Sequence, residues 1–288
     1  MRSGLMKGKI VLITGATDGI GKVTARELAD DGAQVIMVAR NRAKAESVRA
    51  WIREATGSSS TEVIIADLSV QAQVRAAAAE LVSRFGALDV LVNNAGGTFT
   101  KRTESADGIE MTFALNHLAP FLLTNLLLDC LRRRAPSRIV TVSSHAHESA
   151  SMDFDDLEGR QGYNGWRAYG QSKLANLLFT YELARRLEGS GVTANALHPG
   201  FVATQFGKNN GGFMRFAMTI AHRLGAISPE EGARTSVYVA SSPEVQGVTG
   251  KYFMKSRQAL SKPASLDRES QRRLWEISCQ MTGLPVAD

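Results

Sequence analysis

Cysteine is nearly absent from this 288-residue chain, which holds only Cys130 and Cys279. Neither has a neighbour at metal-finger or redox-pair spacing, so a disulfide framework is excluded and no metal centre is expected. Long apolar runs are missing too. A membrane-spanning helix needs roughly 18 consecutive apolar residues, and the longest run here, Phe121 to Leu128, is interrupted by Thr124 and Asn125 and reads as a buried helix. Met1 to Lys9 leads into a short apolar run, Ile10 to Ile13, that is too short for a secretory leader and lacks a cleavage pattern. The expected location is the cytoplasm. Proline is scarce at seven residues, and no Pro-rich linker, repeat or low-complexity block divides the chain. One domain over residues 1–288 is expected. Concentrated charge is also lacking: the net charge is +6, but basic residues are dispersed and Arg132 to Arg134 form the one tight run. That pattern ranks a nucleic-acid partner last.

What is present is alternation. Short β-branched runs at Ile10–Thr14, Gln34–Ala39, Glu62–Ala66, Val90–Asn93, Arg138–Ser143, Thr193–His198 and Lys251–Met254 alternate with helical patterns such as Thr17–Asp30, Arg42–Thr56 and Val70–Phe85. Gly32, Gly57 and Gly86 stand just past those helices, where a left-handed cap is needed. The fold class expected is α/β: a Rossmann-type, doubly wound sheet of about seven parallel strands with helices on both faces. Two polar, Gly-rich segments, near 146–167 and 206–228, break the alternation after predicted strands. Loops beyond strand carboxyl ends hold ligands in such sheets, so these are the candidate substrate loops.

The first strand runs through Thr14-Gly15-Ala16-Thr17-Asp18-Gly19-Ile20-Gly21 into a helix, placing Gly15, Gly19 and Gly21 where backbone must approach a pyrophosphate. The second strand ends at Arg40, with no carboxylate for a ribose 2′-hydroxyl. A guanidinium there, helped by Lys44 one turn on, suits a 2′-phosphate and points to NADP(H) over NAD(H). Asp18 opposes that charge pattern unless it caps the helix or pairs with Lys22. Tyr169 and Lys173 lie four apart at a helix start and share a face. A lysine cation and an oxidised nicotinamide both favour phenolate, so Tyr169 could exchange a proton near neutral pH.

With these pieces together, the chain resembles the short-chain dehydrogenase/reductase family over nearly its whole length. The matching residues are Thr14-Gly15-x-x-x-Gly19-Ile20-Gly21, Asp67-Leu68, Asn93-Asn94-Ala95-Gly96, Asn116, Ser143-Ser144, Tyr169-x-x-x-Lys173 and Pro199-Gly200-x-Val202-x-Thr204. Ser172-Lys173-Leu174-Ala175-Asn176 and His198-Pro199-Gly200 are similar to the retinol dehydrogenase-like branch. The resemblance implies that Ser144 bonds the substrate carbonyl, Tyr169 gives or takes its proton, Lys173 holds the nicotinamide ribose and lowers the tyrosine pKa, and Asn116 holds a water relay behind Lys173. It also implies that Asp67 with Leu68 meets adenine, that Asn94, Ala95 and Gly96 pass behind the nucleoside, that Thr204 holds the carboxamide or phosphates, and that Pro199, Gly200 and Val202 of the same motif bind cofactor. Gly15, Thr17, Asp18, Gly19, Ile20 and Gly21 would line the phosphates. Of the adjacent serines, strand alternation lets only one face the site, and the motif selects Ser144.

The implied activity is hydride transfer between NADP(H) and a lipophilic aldehyde, ketone or alcohol. The competing expectation is a cofactor-binding sensor or interaction protein with little turnover. His145, His147 and His198 read as histidines satisfying backbone groups, and Trp166 is the one tryptophan near the site. The apolar stretch Phe213–Ala221 is read as a packed helix, a lid or a peripheral membrane contact. The resemblance implies a homodimer or homotetramer paired through helices at Thr112–Arg133 and Tyr169–Leu187, with a monomer, as in related branches, the alternative.

Overall fold

The computed structural model describes residues 4–200 and 227–286. Strands β1 (Ile10–Thr14), β2 (Gln34–Ala39), β3 (Thr61–Ile65), β4 (Val90–Asn93), β5 (Ser137–Val142), β6 (Val192–His198) and β7 (Tyr252–Met254) pair in parallel, and β8 (Arg257–Ala259) returns antiparallel along β7. Their order across the sheet is β3-β2-β1-β4-β5-β6-β7-β8. Among the described residues the helices are α1 (Gly19–Asp30), α2 (Arg42–Thr56), α3 (Gln71–Phe85), α4 (Met111–Arg132), α5 (Gly165–Arg186), α6 (Pro229–Ser241) and α7 (Arg268–Thr282). Most predicted boundaries lie within a residue or two of these. This is the doubly wound Rossmann-type arrangement.

Side-chain alternation along the strands feeds two cores. Leu12, Ile36, Leu91 and Ile139 pack with Phe121 and Phe179 on one face, while Val11, Ile13, Val35 and Val92 pack with Leu28 and Val239 on the other. α2 and α3 stop at Gly57 and Gly86, at φ 70° and 68°. A residue with a Cβ would be strained at either cap.

The sequence patterns do not reveal β8. Its residues, Arg257-Gln258-Ala259, carry no apolar alternation, and its hairpin turns on Lys255 and Ser256, at φ 52° and 56°. Such a turn usually announces itself with Asn or Gly. Here pairing with β7 selects the conformation. α4 also differs from a regular helix, since Ala114–Leu118 forms a π turn within it. By length and hydropathy α4 could cross a membrane, but 72% of its apolar window is buried inside the fold. α7 covers α4 and α5, with the Trp275 ring 5.0 Å from Phe121 and 6.0 Å from Phe179.

The chain winds outward from β1 to β3 and then returns to β4 on the other side of β1. That reversal opens a crevice beyond the carboxyl ends of β1 and β4.

Candidate active site

Backbone floors the crevice. The Thr14 hydroxyl at the end of β1 accepts the N–H groups of Asn94 and Ala95, both at 3.0 Å, and the Asn94 amide donates to the carbonyls of Thr14 and Gly15 at 2.9 and 3.2 Å. A Cβ on Gly15 would lie 2.8 Å from the Ala95 Cα, and one on Gly21 would lie 2.4 Å from the Asn94 amide nitrogen. Gly15 also needs φ 65°. Only glycine fits either place, and the surface left open is backbone at the positive end of α1. Asp18 caps that helix, accepting the Gly19 N–H at 2.7 Å, whereas Lys22 lies 4.0 Å over the Trp51 ring instead of pairing with Asp18. Thr17 and Ile20 flank the cap, half-buried.

Arg40 is exposed at the carboxyl end of β2, beside exposed Arg42 and Lys44 in the first turn of α2, where no acidic residue stands. Asn41 caps that helix through the Lys44 N–H at 2.9 Å. Three cations at a positive helix end are mutually unfavourable, and an anion there would relieve them. After β3, Asp67 is held by Ser69, whose N–H and hydroxyl donate to it at 3.0 and 2.7 Å, and Leu68 is buried beside it.

The polar cluster lies across β4 and β5. Asn164 caps α5 by accepting the N–H groups of Trp166 and Arg167 at 3.0 and 3.1 Å, and Gly165 lets the helix start against Phe99, whose carbonyl oxygen would be 2.3 Å from a Cβ. The first full turn brings Tyr169 to the end of β5, beside Ser144, whose hydroxyl acts on the phenol to favour phenolate. The Ser144 hydroxyl also accepts the Ala146 N–H at 3.2 Å, which leaves its own proton free to be donated towards the phenol. Ser143 faces elsewhere, donating to the Lys173 carbonyl at 2.8 Å.

Lys173 is buried, and its ammonium donates to the Val142 carbonyl at 3.0 Å and lies 5.7 Å from the Tyr169 ring centroid. Burial lowers its pKa to about 8. Burial also raises Tyr169 to about 12, against the opposing pull of the Ser144 hydrogen bond. In the chain by itself the phenol is therefore protonated, and the lysine alone does not bring it near neutrality.

Asn116 lies in the π turn of α4, a common setting for functional residues. Its Oδ1 accepts the Gly97 N–H at 2.8 Å, and its Nδ2 donates to the Gly97 carbonyl and the Ser172 hydroxyl, both at 2.9 Å. A Cβ on Gly96 would be 3.2 Å from Asn116 Oδ1 and 3.4 Å from Lys173 Nζ, so both side chains border Gly96.

His198 Nδ1 accepts the N–H groups of His145 and Gly200 at 3.2 and 3.4 Å, and burial lowers its pKa to about 4. It is a neutral acceptor serving backbone. Pro199 and Gly200 continue from β6, Gly200 at φ 97° against Ile227. Val202 and Thr204 lie outside the described residues, as do Phe213–Ala221 and most of the 206–228 segment. The 146–167 loop folds down onto the chain between β4 and α4. Tyr163 donates to the Phe99 carbonyl at 2.8 Å and to Glu110 at 3.0 Å, and Arg102 donates to the Glu158 carbonyl at 3.1 Å. A 320 Å³ groove in this loop, lined by Met152, Phe154, Arg167 and Arg273 among others, includes none of Ser144, Tyr169, Lys173 or Asn116. Glu110 was not singled out by the sequence patterns: it caps α4 by accepting the Thr112 and Phe113 N–H groups at 2.9 and 2.8 Å, and its loop partner Tyr163 is distant along the chain.

A family model described as short chain dehydrogenase matches residues 9–213. The chain belongs to the short-chain dehydrogenase family. Among curated proteins it is 45% identical to human retinol dehydrogenase 14, covering 98% of this chain and 88% of that one, and 44% identical to human retinol dehydrogenase 13, covering 96% and 85%. Among solved structures, an uncharacterized protein from Mycobacterium paratuberculosis superposes with a TM-score of 0.79 at 34% identity, covering 98% of this chain and 96% of that one. The RhlG/NADP active-site complex of Pseudomonas aeruginosa superposes at 0.70 and 29%, covering 88% and 96%. The short-chain dehydrogenase fold thus accounts for the crevice and for the polar cluster beside it, and it makes this chain an oxidoreductase that uses a nicotinamide cofactor.

Proposed function

We propose that this short-chain dehydrogenase transfers hydride between NADP(H) and a lipophilic aldehyde, ketone or alcohol, retinoid-like, steroid-like or xenobiotic. The observation that carries the reading is the juxtaposition of Ser144 and Tyr169, with Lys173 buried one turn beyond and bordering Gly96 beside the glycine-floored crevice. Gly15, Gly19 and Gly21 receive the phosphates, Arg40 and Lys44 a 2′-phosphate, and Asp67 the adenine side. Bound there, the cofactor supplies or accepts the hydride and, when oxidised, adds the positive charge that favours phenolate. Ser144 donates to the carbonyl oxygen. Tyr169, a protonated phenol in a buried setting, gives that oxygen its proton during reduction and takes it back during oxidation. Lys173 holds positive charge beside the phenolate that reduction leaves, and Asn116 keeps the Gly96–Gly97 turn and Ser172 in place around it.

NADP(H) rests on the cations Arg40, Arg42 and Lys44, with no acidic residue in the first turn of α2. The lipophilic substrate rests on the retinol dehydrogenase relatives and on Trp166, which is 54% exposed on the helical face of Tyr169. The direct test is NADPH and NADH oxidation against aldehydes and ketones of graded size. Turnover that prefers NADPH, rises with apolar size and disappears in Tyr169→Phe is expected. Tight NADPH binding with no turnover across the panel would favour the sensing role instead.

A further inference from the structure

We infer that His147 is a positioning residue for Ser144, through which the chain after β8 orients the site. The inference rests on the role proposed above for Ser144. Ser144 sits at the head of a single 3-10 turn, His145–Ser149, with extended backbone at φ −156° and ψ 156°. So short a turn cannot by itself hold a hydroxyl to the few tenths of an ångström that catalysis needs.

The missing constraint is the His147 ring. It is fully buried, and its Nδ1 lies 2.6 Å from the Ser144 carbonyl oxygen. A carbonyl only accepts, so the ring proton is on Nδ1, and Nε2 is left as an acceptor. Nε2 takes the Lys262 N–H at 3.3 Å. Tyr252 stands edge-on to the ring with centroids 5.3 Å apart. With both nitrogens engaged and one flank packed, the ring has one orientation.

Lys262 is itself anchored. Its ammonium donates to the Ala150 carbonyl, just past the same turn, and its own carbonyl accepts the Ser265 N–H and hydroxyl at 2.9 and 2.6 Å. Ser261 Oγ lies 2.6 Å from Tyr181 Oη on α5, the helix that carries Tyr169. The C-terminal strap thus grips α5 and the Ser144 turn together, with His147 as the link. Lys262 also lies at φ −52° and ψ 138°, a conformation open to proline.

A double-mutant cycle tests this. His147→Leu should lower kcat about 10–100-fold, the range of a misplaced catalytic group, while NADPH affinity, read by fluorescence, changes less than about twofold. In a Ser144→Ala background the same change should lower kcat by less than about twofold, because there is no hydroxyl left to misplace. Equal losses in both backgrounds, or NADPH binding lost in step, would overturn the inference alone. If Ser144→Ala itself leaves turnover intact, the serine's role fails and this inference with it. Should His147→Leu not fold, Lys262→Pro, which deletes the N–H, is compared with Lys262→Ala, which keeps it. A Ser144-dependent loss confined to the proline variant supports the link, and equal kcat in the two variants refutes it.

Discussion

Two groups of cations border the crevice and do opposite things. Arg40, Arg42 and Lys44 stand in solvent at the end of β2, whereas Lys173 is enclosed beneath Tyr169 with its ammonium on the Val142 carbonyl. The exposed group attracts anions at a distance and is screened by salt. The enclosed one is held at an electrostatic cost, which its pKa of about 8 records. The comparison separates recognition, which needs charge at the surface, from chemistry, which needs charge confined where one proton moves.

The largest effects should come from the enclosed side. Tyr169→Phe removes the phenol that sits beside Ser144, and kcat should fall about a thousandfold with NADPH affinity retained, as checked by steady-state rates and fluorescence titration. Loss of NADPH binding in step would blur the division. Lys173→Met should lower kcat about a hundredfold yet raise stability at pH 7. The folded pKa of Lys173 is about 8 against an ordinary 10.5, so between these values the unfolded chain binds more protons and stability rises with pH. Below pH 8 the penalty is fully present. It amounts to about 3 kcal/mol at most, less about 1 kcal/mol for the Val142 carbonyl left without its donor. The variant's advantage in thermal midpoint should therefore be a few degrees, about 2–8 °C, and should shrink towards pH 10. An advantage that grows with pH would refute the account.

The exposed side should behave more gently. Arg40→Asp loses a charge-assisted bond and adds repulsion, so KM for NADPH should rise about 10–100-fold while kcat and KM for NADH stay nearly constant. Equal rates with both cofactors in the unaltered protein would remove the role given to Arg40. Smallest of all is salt. Raising ionic strength from about 0.01 to 0.15 M shortens the screening length from about 30 to 8 Å and should weaken NADPH binding a few-fold. kcat should not move, because Lys173 is out of reach of ions.

Legibility followed the same division. Gly15 and Gly21 were readable because only glycine tolerates those approaches, so the requirement is written into residue identity. Tyr169 and Lys173 were readable because helical spacing alone puts them on one face. That only one of Ser143 and Ser144 faces the site followed from strand alternation, the family motif chose Ser144, and the structure gives Ser143 to a backbone carbonyl. His147 read as a histidine serving backbone, and it does; that its Nε2 takes the Lys262 N–H was invisible, since Lys262 is over a hundred residues away. β8 was missed because its turn, Lys255-Ser256, lacks the residues that such turns favour.

By itself, the sequence determined the doubly wound sheet, the glycine-floored crevice and the tyrosine–lysine face, all of which depend on spacing over a few residues or on residues without a Cβ. The tertiary structure decided which charges are hidden. Lys173 and Tyr169 have shifted proton affinities because helices and strands distant in the chain close over them, and desolvation has no local pattern. It also decided what holds Ser144, since that depends on a strap from the far end of the chain arriving beside one buried imidazole.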